Sequence, residues 1–250
     1  MAEKSNQSDK YRIGGNCLMK KIGFIILSAA IAVSLCACSG SKVKTPDFEC
    51  EEAYRPALED LRAAIASGEE TENLYDGFES VREAAAELGA AAEDTIGYVF
   101  NDTDKDGREE LFIGCFETDG SADVNNEIYA AFSHDGDDLI PLFEKQKRNT
   151  FALTDTGTFY FYGSDGDKFH IIAEYQLTED EGIVCKDFYF TYPKDGNIDE
   201  FACYHNTSGQ WDPAVSEEMD MTPEAFEEIR KNLAERTAVL DDVKLSEIGK

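Results

Sequence analysis

Three aspartates alternate with other residues in the stretch 99–114, which reads VFNDTDKDGREELFIG. Asp102, Asp104 and Asp106 lie two residues apart, and Gly107 then allows a sharp bend of the chain. Carboxylates at this spacing on a bent chain bring their oxygens toward one point, and the backbone carbonyl of Arg108 adds a further oxygen. Because calcium prefers six to eight oxygen ligands, the pattern predicts a calcium loop. The alternative interpretation is a solvated acidic hairpin turn.

The loop departs from the helix-flanked EF-hand at two positions. Glu109 stands where that motif has an apolar residue, and Ile113 stands where it has a bidentate Glu. The exit, residues 111–116, is typical of a strand. The stretch instead resembles the strand-flanked D-x-D-x-D-G-x-x-[DE] calcium loop of integrin-type repeats and many exported bacterial proteins. That resemblance implies a structural ion bound with weak affinity, about 10⁻⁴ to 10⁻³ M. The implied ligands are side-chain oxygens of Asp102, Asp104, Asp106 and Glu110, and the carbonyl oxygen of Arg108.

Two kinds of catalytic site also use paired carboxylates. Haloacid-dehalogenase phosphatases place D-x-D after an apolar strand, but they need Thr or Val at the position of Asp106 and an α/β sheet around it. Glycoside hydrolysis needs two carboxylates about 5 or 6.5–9.5 Å apart, a separation that sequence does not fix. The chain has no H-E-x-x-H, G-x-S-x-G or phosphate-binding glycine loop. We therefore predict no catalytic residues.

Trp211 is the single tryptophan of the chain and lies in the polar stretch 206–213. Binding residues are often found on loops, and an indole offers both an apolar ring and an N–H donor. We therefore predict Trp211 as a ligand-binding residue. The alternative is that its ring packs over the edge of a sheet.

The apolar periodicity changes from helical to strand-like along the chain. A three-four rhythm in residues 51–66 and 71–92 predicts two amphipathic helices. Short aromatic and β-branched runs, separated by Asp-Gly and similar turn signals, then predict an antiparallel meander. These runs are residues 95–100, 111–116, 127–132, 139–143, 150–153, 158–162, 169–177, 183–191 and 200–205. Thr222 as a cap and Pro223 at the first helical position predict a last helix. The predicted fold class is α+β: N-terminal helices packed on an extended antiparallel β-meander, with a C-terminal helix.

The first 48 residues resemble an export signal and tether. Lys20 and Lys21 precede an apolar run at residues 22–37, which is shorter than the about 20 residues that span a bilayer. The run ends in Leu35-Cys36-Ala37-Cys38, which resembles the bacterial lipobox and implies lipid attachment at Cys38. An ordinary secretory cleavage nearby is the alternative. We expect a mis-assigned start at residues 1–18, a signal sequence at 19–37, a tether at 38–48 and one extracytoplasmic domain at 49–250, anchored to the cell membrane by the lipid.

The chain is strongly acidic. Its formal net charge is −29, and residues 38–250 carry 18 basic and 50 acidic groups, a balance of −32. Such a surface repels nucleic acid and favours cations or basic partners, although acidity for solubility alone is the alternative. Besides Cys38, four cysteines remain after the leader, Cys50, Cys115, Cys185 and Cys203, and their spacing leaves both disulfides and free thiols open.

The layout as a whole resembles a family of lipoproteins from gut Firmicutes. The shared features are the lipobox, the segment Tyr54-Arg55-Pro56, the loop D-x-D-x-D-G-x-x-E-L, aromatic hairpins and a last helix led by Thr-Pro-Glu. The resemblance implies no particular activity. We expect a lipid-anchored cell-surface protein with a structural calcium loop, acting as a non-catalytic binding module for an extracellular ligand such as a basic protein or a glycan. The alternatives are an exported hydrolase of glycan or peptide, and an acidic inhibitor or decoy for basic proteins.

Overall fold

A computed structural model describes residues 48–68, 77–116, 126–135, 138–164, 169–179, 182–194 and 197–249. The proposed lipidation site Cys38, the signal sequence at 19–37 and the tether up to residue 47 lie outside these residues. No helix within the described ranges is long and apolar enough to cross a membrane.

One antiparallel sheet contains all the strands that the structure describes. Its neighbours run in the order β10-β9-β8-β7-β6-β5-β3-β2-β1-β11, and β4 pairs with β3 beside this path. The strands are β1 (Gly97–Asn101), β2 (Glu110–Cys115), β3 (Glu127–Asp135), β4 (Asp138–Glu144), β5 (Asn149–Leu153), β6 (Phe159–Ser164), β7 (His170–Thr178), β8 (Gly182–Lys194), β9 (Asn197–Asn206), β10 (Glu217–Met219) and β11 (Val243–Lys244). Consecutive strands are neighbours from β5 to β10, so the predicted meander is confirmed.

Two amphipathic helices cover the β1–β3 end of the sheet. They are α1 (Phe48–Ser67) and α2 (Glu79–Leu88), followed by the single turn α3 (Ala92–Thr95). Leu58 and Leu61 of α1 and Val81 of α2 are at most 2 % exposed and pack with Leu111 and Ile113 of β2. Each buried side chain of this size contributes about 1.5–3 kcal/mol, so this cluster holds the helices on the strands that carry the acidic loop.

The last helix, α4 (Pro223–Ala234), begins as predicted. The Thr222 hydroxyl accepts a hydrogen bond from the backbone N–H of Ala225 at 3.2 Å, and Pro223 occupies the first turn. Phe226 and Leu233 of α4 pack with Tyr160 of β6 in a second hydrophobic cluster. The α+β class with helices before and after the sheet is therefore confirmed.

Several boundaries differ from the predictions, most of all at the second helix and the first strand. The helix predicted at residues 71–92 is described only from Glu79, and it stops at Gly89, whose positive φ of 57° ends the α-helix before a 3₁₀ turn and α3. The first predicted strand therefore begins at Gly97 rather than at residue 95. Strands β10 and β11 were not predicted, because two or three residues are too short to show a period.

Candidate metal centre

The acidic stretch connects the antiparallel strands β1 and β2. Asn101 pairs with Glu110 as the last pair of the ladder, so residues 102–109 form the connecting loop. Gly107 adopts a positive φ of 94°, which supplies the predicted bend at little steric cost. The prediction that strands rather than helices flank the loop is confirmed.

The loop brings Asp102, Asp104 and Asp106 together. One carboxylate oxygen of each lies within 4.8 Å of those of the other two, and all three side chains are partly buried. No other group of three or more acidic, histidine or cysteine side chains converges in this way among the described residues. Three of the four predicted side-chain ligands are therefore in one place.

Backbone N–H groups orient two of these carboxylates. Asp104 Oδ1 accepts a hydrogen bond from Asp106 N at 3.0 Å, and Asp106 Oδ1 accepts one from Arg108 N at 2.7 Å. In each turn the side chain bonds to the backbone two residues ahead, which is the usual turn-forming habit of Asp. Asp102 Oδ1 is shielded from solvent and has no hydrogen-bond partner in the described part of the chain. A buried carboxylate oxygen without a donor favours a cation beside it.

Glu110 lies beneath the loop rather than with the three aspartates. It is 1 % exposed, and its Oε2 accepts a hydrogen bond from Thr103 N at 2.8 Å. Burial and, to a smaller extent, the negative charges of Asp104, Asp106 and Asp102 together raise the pKa of Glu110 to about 7, against the opposing effect of the Thr103 hydrogen bond. In this structure Glu110 ties the start of β2 to the loop backbone, and its role as a ligand stays a prediction.

Arg108 has a side-chain role that the sequence pattern did not indicate. Its Nε and Nη2 donate to Asp106 Oδ2 at 2.9 and 2.6 Å, and Nη1 donates to the carbonyl of His134 at 3.5 Å. The predicted metal ligand is the backbone carbonyl of Arg108. The side-chain contact does not test that prediction. The spacing of Asp106 and Arg108, two positions apart, was the only signal in the sequence. Whether side chains at this spacing form a salt bridge depends on the geometry of the turn.

Tyr54 connects the loop to α1, and sequence reasoning missed this contact. The side chain is fully buried, and its hydroxyl donates to the carbonyl oxygens of Glu109 at 3.0 Å and Phe132 at 3.4 Å. The helical period correctly placed Tyr54 on the inward face. A hydroxyl bond to a residue 55 positions away leaves no trace in a local pattern.

Trp211 lies against the aromatic side of the sheet. Its ring is 6.3 Å from that of Phe169 in an edge-on arrangement, and it packs on a cluster that contains Phe188 and Phe190. The indole N–H is buried without a hydrogen-bond partner among the described residues. The packing alternative thus describes the observed contacts, and ligand binding by Trp211 stays a prediction.

Cys115, Cys185 and Cys203 are free thiols, and the side chain of Cys50 lies outside the described part. Burial and, secondly, the carboxylate of Asp187 together raise the pKa of Cys185 to about 11. Burial also raises the pKa of Cys203. The side chains of Cys185 and Cys203 therefore hold little thiolate near neutral pH.

Cys185 is therefore expected to react slowly with iodoacetamide at pH 8. The thiolate is the nucleophile, so a pKa of about 11 lowers the rate on the order of 100-fold relative to an ordinary cysteine. Peptide mapping by mass spectrometry over a time course measures this rate. The same peptide in urea-unfolded protein is the control, and equal rates in the folded and unfolded chain would contradict the prediction.

Comparison with models of known protein families, with curated proteins and with solved structures finds no match for this chain.

Proposed function

We propose that the chain is a lipid-anchored cell-surface protein whose α+β domain is stabilised by calcium at the loop 102–110 and acts as a non-catalytic binding module. The observation that carries the proposal is the convergence of Asp102, Asp104 and Asp106 within 4.8 Å. The unpartnered Oδ1 of Asp102 supports it, because that oxygen has no internal donor in the described structure.

The donor set suits a hard divalent cation. Carboxylate oxygens, a backbone carbonyl and water are the ligands of calcium, whereas the loop offers no thiol or imidazole that a softer metal prefers. Asp102, Asp104 and Asp106 would hold the ion with side-chain oxygens, together with the Arg108 carbonyl and Glu110. Bound calcium neutralises clustered negative charge at the turn between β1 and β2.

The ion has a structural role in this proposal. Burial raises the pKa of Asp104, and the charges of Asp106 and Asp102 raise it as well, because clustered carboxylates repel one another. A divalent cation relieves that repulsion only in the folded chain, where the three side chains meet. Calcium therefore stabilises the fold by mass action.

The location and partners rest on the sequence. Lipid attachment at Cys38 would keep the domain at the extracytoplasmic face of the membrane, and a balance of −32 in residues 38–250 favours basic proteins over nucleic acid. A glycan is the second ligand class. Hydrolysis of a glycan or peptide panel, abolished by one substitution outside the loop, would contradict the non-catalytic part of the proposal.

Calcium is expected to bind the full-length chain at one site and to raise its melting temperature. For a dissociation constant of about 10⁻⁴ to 10⁻³ M, 10 mM calcium stabilises by about 1.4–2.7 kcal/mol, which corresponds to about 3–10 °C. Asp104→Asn is expected to abolish both effects, because it removes a charge while keeping the shape. Isothermal titration calorimetry and thermal melts in detergent measure them after treatment with a chelator.

The matched control is Asp60→Asn, which removes the same charge from an exposed position of α1. This variant should bind calcium as the parent does. Absence of binding to the parent, or equal binding by Asp104→Asn and Asp60→Asn, would overturn the calcium proposal.

A further inference from the structure

The guanidinium of Arg108 is a cation already held at the acidic loop. Its Nε and Nη2 both donate to Asp106 Oδ2, at 2.9 and 2.6 Å. Asp106 Oδ1 accepts the backbone N–H of the same residue at 2.7 Å. Both oxygens of Asp106 are therefore engaged by Arg108, whereas Oδ1 of Asp102 has no partner within the described ranges.

Arg108 would affect a bound metal ion in two opposite ways, through its backbone carbonyl and through its side chain. The backbone carbonyl of Arg108 is a predicted calcium ligand, and it persists whatever the side chain is. The guanidinium occupies one of the carboxylates that the ion needs. It also faces Asp104 and Asp135, whose charges favour its presence at the site.

We propose that the Arg108 side chain is an intramolecular competitor of calcium, which must leave Asp106 when the ion binds and which thereby sets a weak affinity. This inference rests on the proposed calcium function. A divalent ion and a guanidinium cannot share Asp106 Oδ2 without strong repulsion between like charges. The side chain of Arg108 is 53 % exposed whereas that of Asp106 is 8 % exposed, so the arginine is the partner that can move into solvent.

Displacement of the guanidinium also changes a second contact. Its Nη1 donates to the carbonyl of His134 in β3, so the same movement releases a link between the loop and the neighbouring strand. Calcium binding then exchanges a salt bridge within the loop for metal ligation. The measured free energy of calcium binding is then the difference between the free energy of metal ligation and that of the lost salt bridge.

The test compares Arg108→Gln with Arg82→Gln in the full-length chain. Arg82 forms an ion pair of the same kind with Glu79 on α2, at 3.1 Å, and its loss removes the same charge away from the loop. Titration calorimetry with calcium chloride at fixed ionic strength measures both. Arg108→Gln is expected to bind about fivefold to tenfold more tightly than the parent, and Arg82→Gln to bind as the parent does.

A second readout follows the guanidinium directly. Nε–H of Arg108 gives its own ¹⁵N–¹H signal, assigned as the signal that Arg108→Gln lacks. Calcium is expected to shift this signal in the parent at the same concentrations that give binding heat. A competitor that leaves Asp106 must lose this hydrogen bond.

The outcomes separate this inference from the calcium proposal. Tighter binding by Arg108→Gln alone, or binding by Arg108→Gln when the parent shows none, supports competition. Parent binding with Arg108→Gln equal to Arg82→Gln, or with an unmoved Nε–H signal, overturns competition and leaves the calcium site standing. Absence of binding to the parent and to Arg108→Gln alike overturns both.

Discussion

Calcium-free protein is expected to lose stability as the pH rises from 5 to 8, and Glu110→Gln is expected to remove most of that loss. Glu110 is 1 % exposed, and burial together with the charges of the three aspartates raises its pKa from 4.5 to about 7. Between these values the folded protein holds a proton that the unfolded chain has released. Stability from this group is therefore complete below pH 4.5 and is lost as the pH rises through 7.

The expected size follows from the difference between the two pKa values. It corresponds to about 3 kcal/mol between the protonated and ionised limits. Glutamine keeps an oxygen that can accept the Thr103 N–H and carries no charge, so it imitates the protonated acid at every pH. At pH 8 the variant should be more stable than the parent, and near pH 4.5 the two should be similar. Asp104, whose pKa is also raised, leaves a smaller slope of the same sign in the variant.

Urea unfolding at a series of pH values, with a chelator present, measures this difference. Glu83→Gln is the control, since Glu83 is an exposed glutamate of α2. Parallel stability curves for the parent and Glu110→Gln would contradict the prediction. Addition of calcium at pH 8 should stabilise the parent, because the cation offsets the charge that Glu110 and the aspartates place together.

The fold was predictable because its elements show clear periods. Helix α1 repeats apolar residues at three and four positions, and most of the strands are aromatic or branched runs between turn signals. The aromatic run Phe159 to Tyr162 shows how strand alternation divides such residues: Phe159 and Phe161 pack in clusters with Phe151, whereas Tyr160 and Tyr162 pack in the cluster that receives α4. The repeat of two residues in a strand and of 3.6 residues in a helix determines which side chains share a face.

The candidate site was predictable only in its local part. The three aspartates are separated by single residues and followed by the positive-φ Gly107, so their convergence is encoded within one short segment. The burial of Glu110 was not foreseen, although Leu111, Phe112 and Ile113 after it are all buried, so that β2 is covered on both faces. A carboxylate at the start of such a strand is desolvated by elements distant in sequence.

Contacts that join distant segments were not predictable. The Tyr54 hydroxyl bond to Glu109 and the Arg108 bond to His134 depend on how α1 and β3 pack around the loop. Trp211 shows the same limit, because the sequence left ligand binding and packing over a sheet edge both open, and only the folded sheet shows that its ring packs with other aromatic side chains. The periodicity of the sequence indicates which face of a helix or strand is buried. Which of these faces contact one another depends on the tertiary packing.

Gly114→Ala is expected to destabilise the protein by about 3 kcal/mol or more, at the end of β2 opposite the loop. A Cβ at this position would lie 2.0 Å from the carbonyl oxygen of Glu127 and 3.0 Å from the Cα of Ile128. Both are backbone atoms of β3, and the β2–β3 register shifts between Ile113 and Gly114, so the strands approach closely there. Relief of the clash requires separation of paired strands, which costs more than a side-chain adjustment.

Gly89→Ala is the comparison, because an added Cβ at Gly89 meets nothing within 4 Å. Its loss of stability, about 1–3 kcal/mol, reflects only the backbone conformation with φ of 57° and ψ of −126°, which L residues rarely adopt. Urea unfolding measures the loss of stability in both variants, and a loss below about 1 kcal/mol for Gly114→Ala would contradict the prediction. Calcium affinity of Gly114→Ala, measured at a temperature where it stays folded, should match the parent. Gly114 supplies no ligand, and Gly97 rather than a loop residue is its partner in β1. Substitution of Gly114 in β2 should thus lower the stability of the protein without changing its calcium affinity.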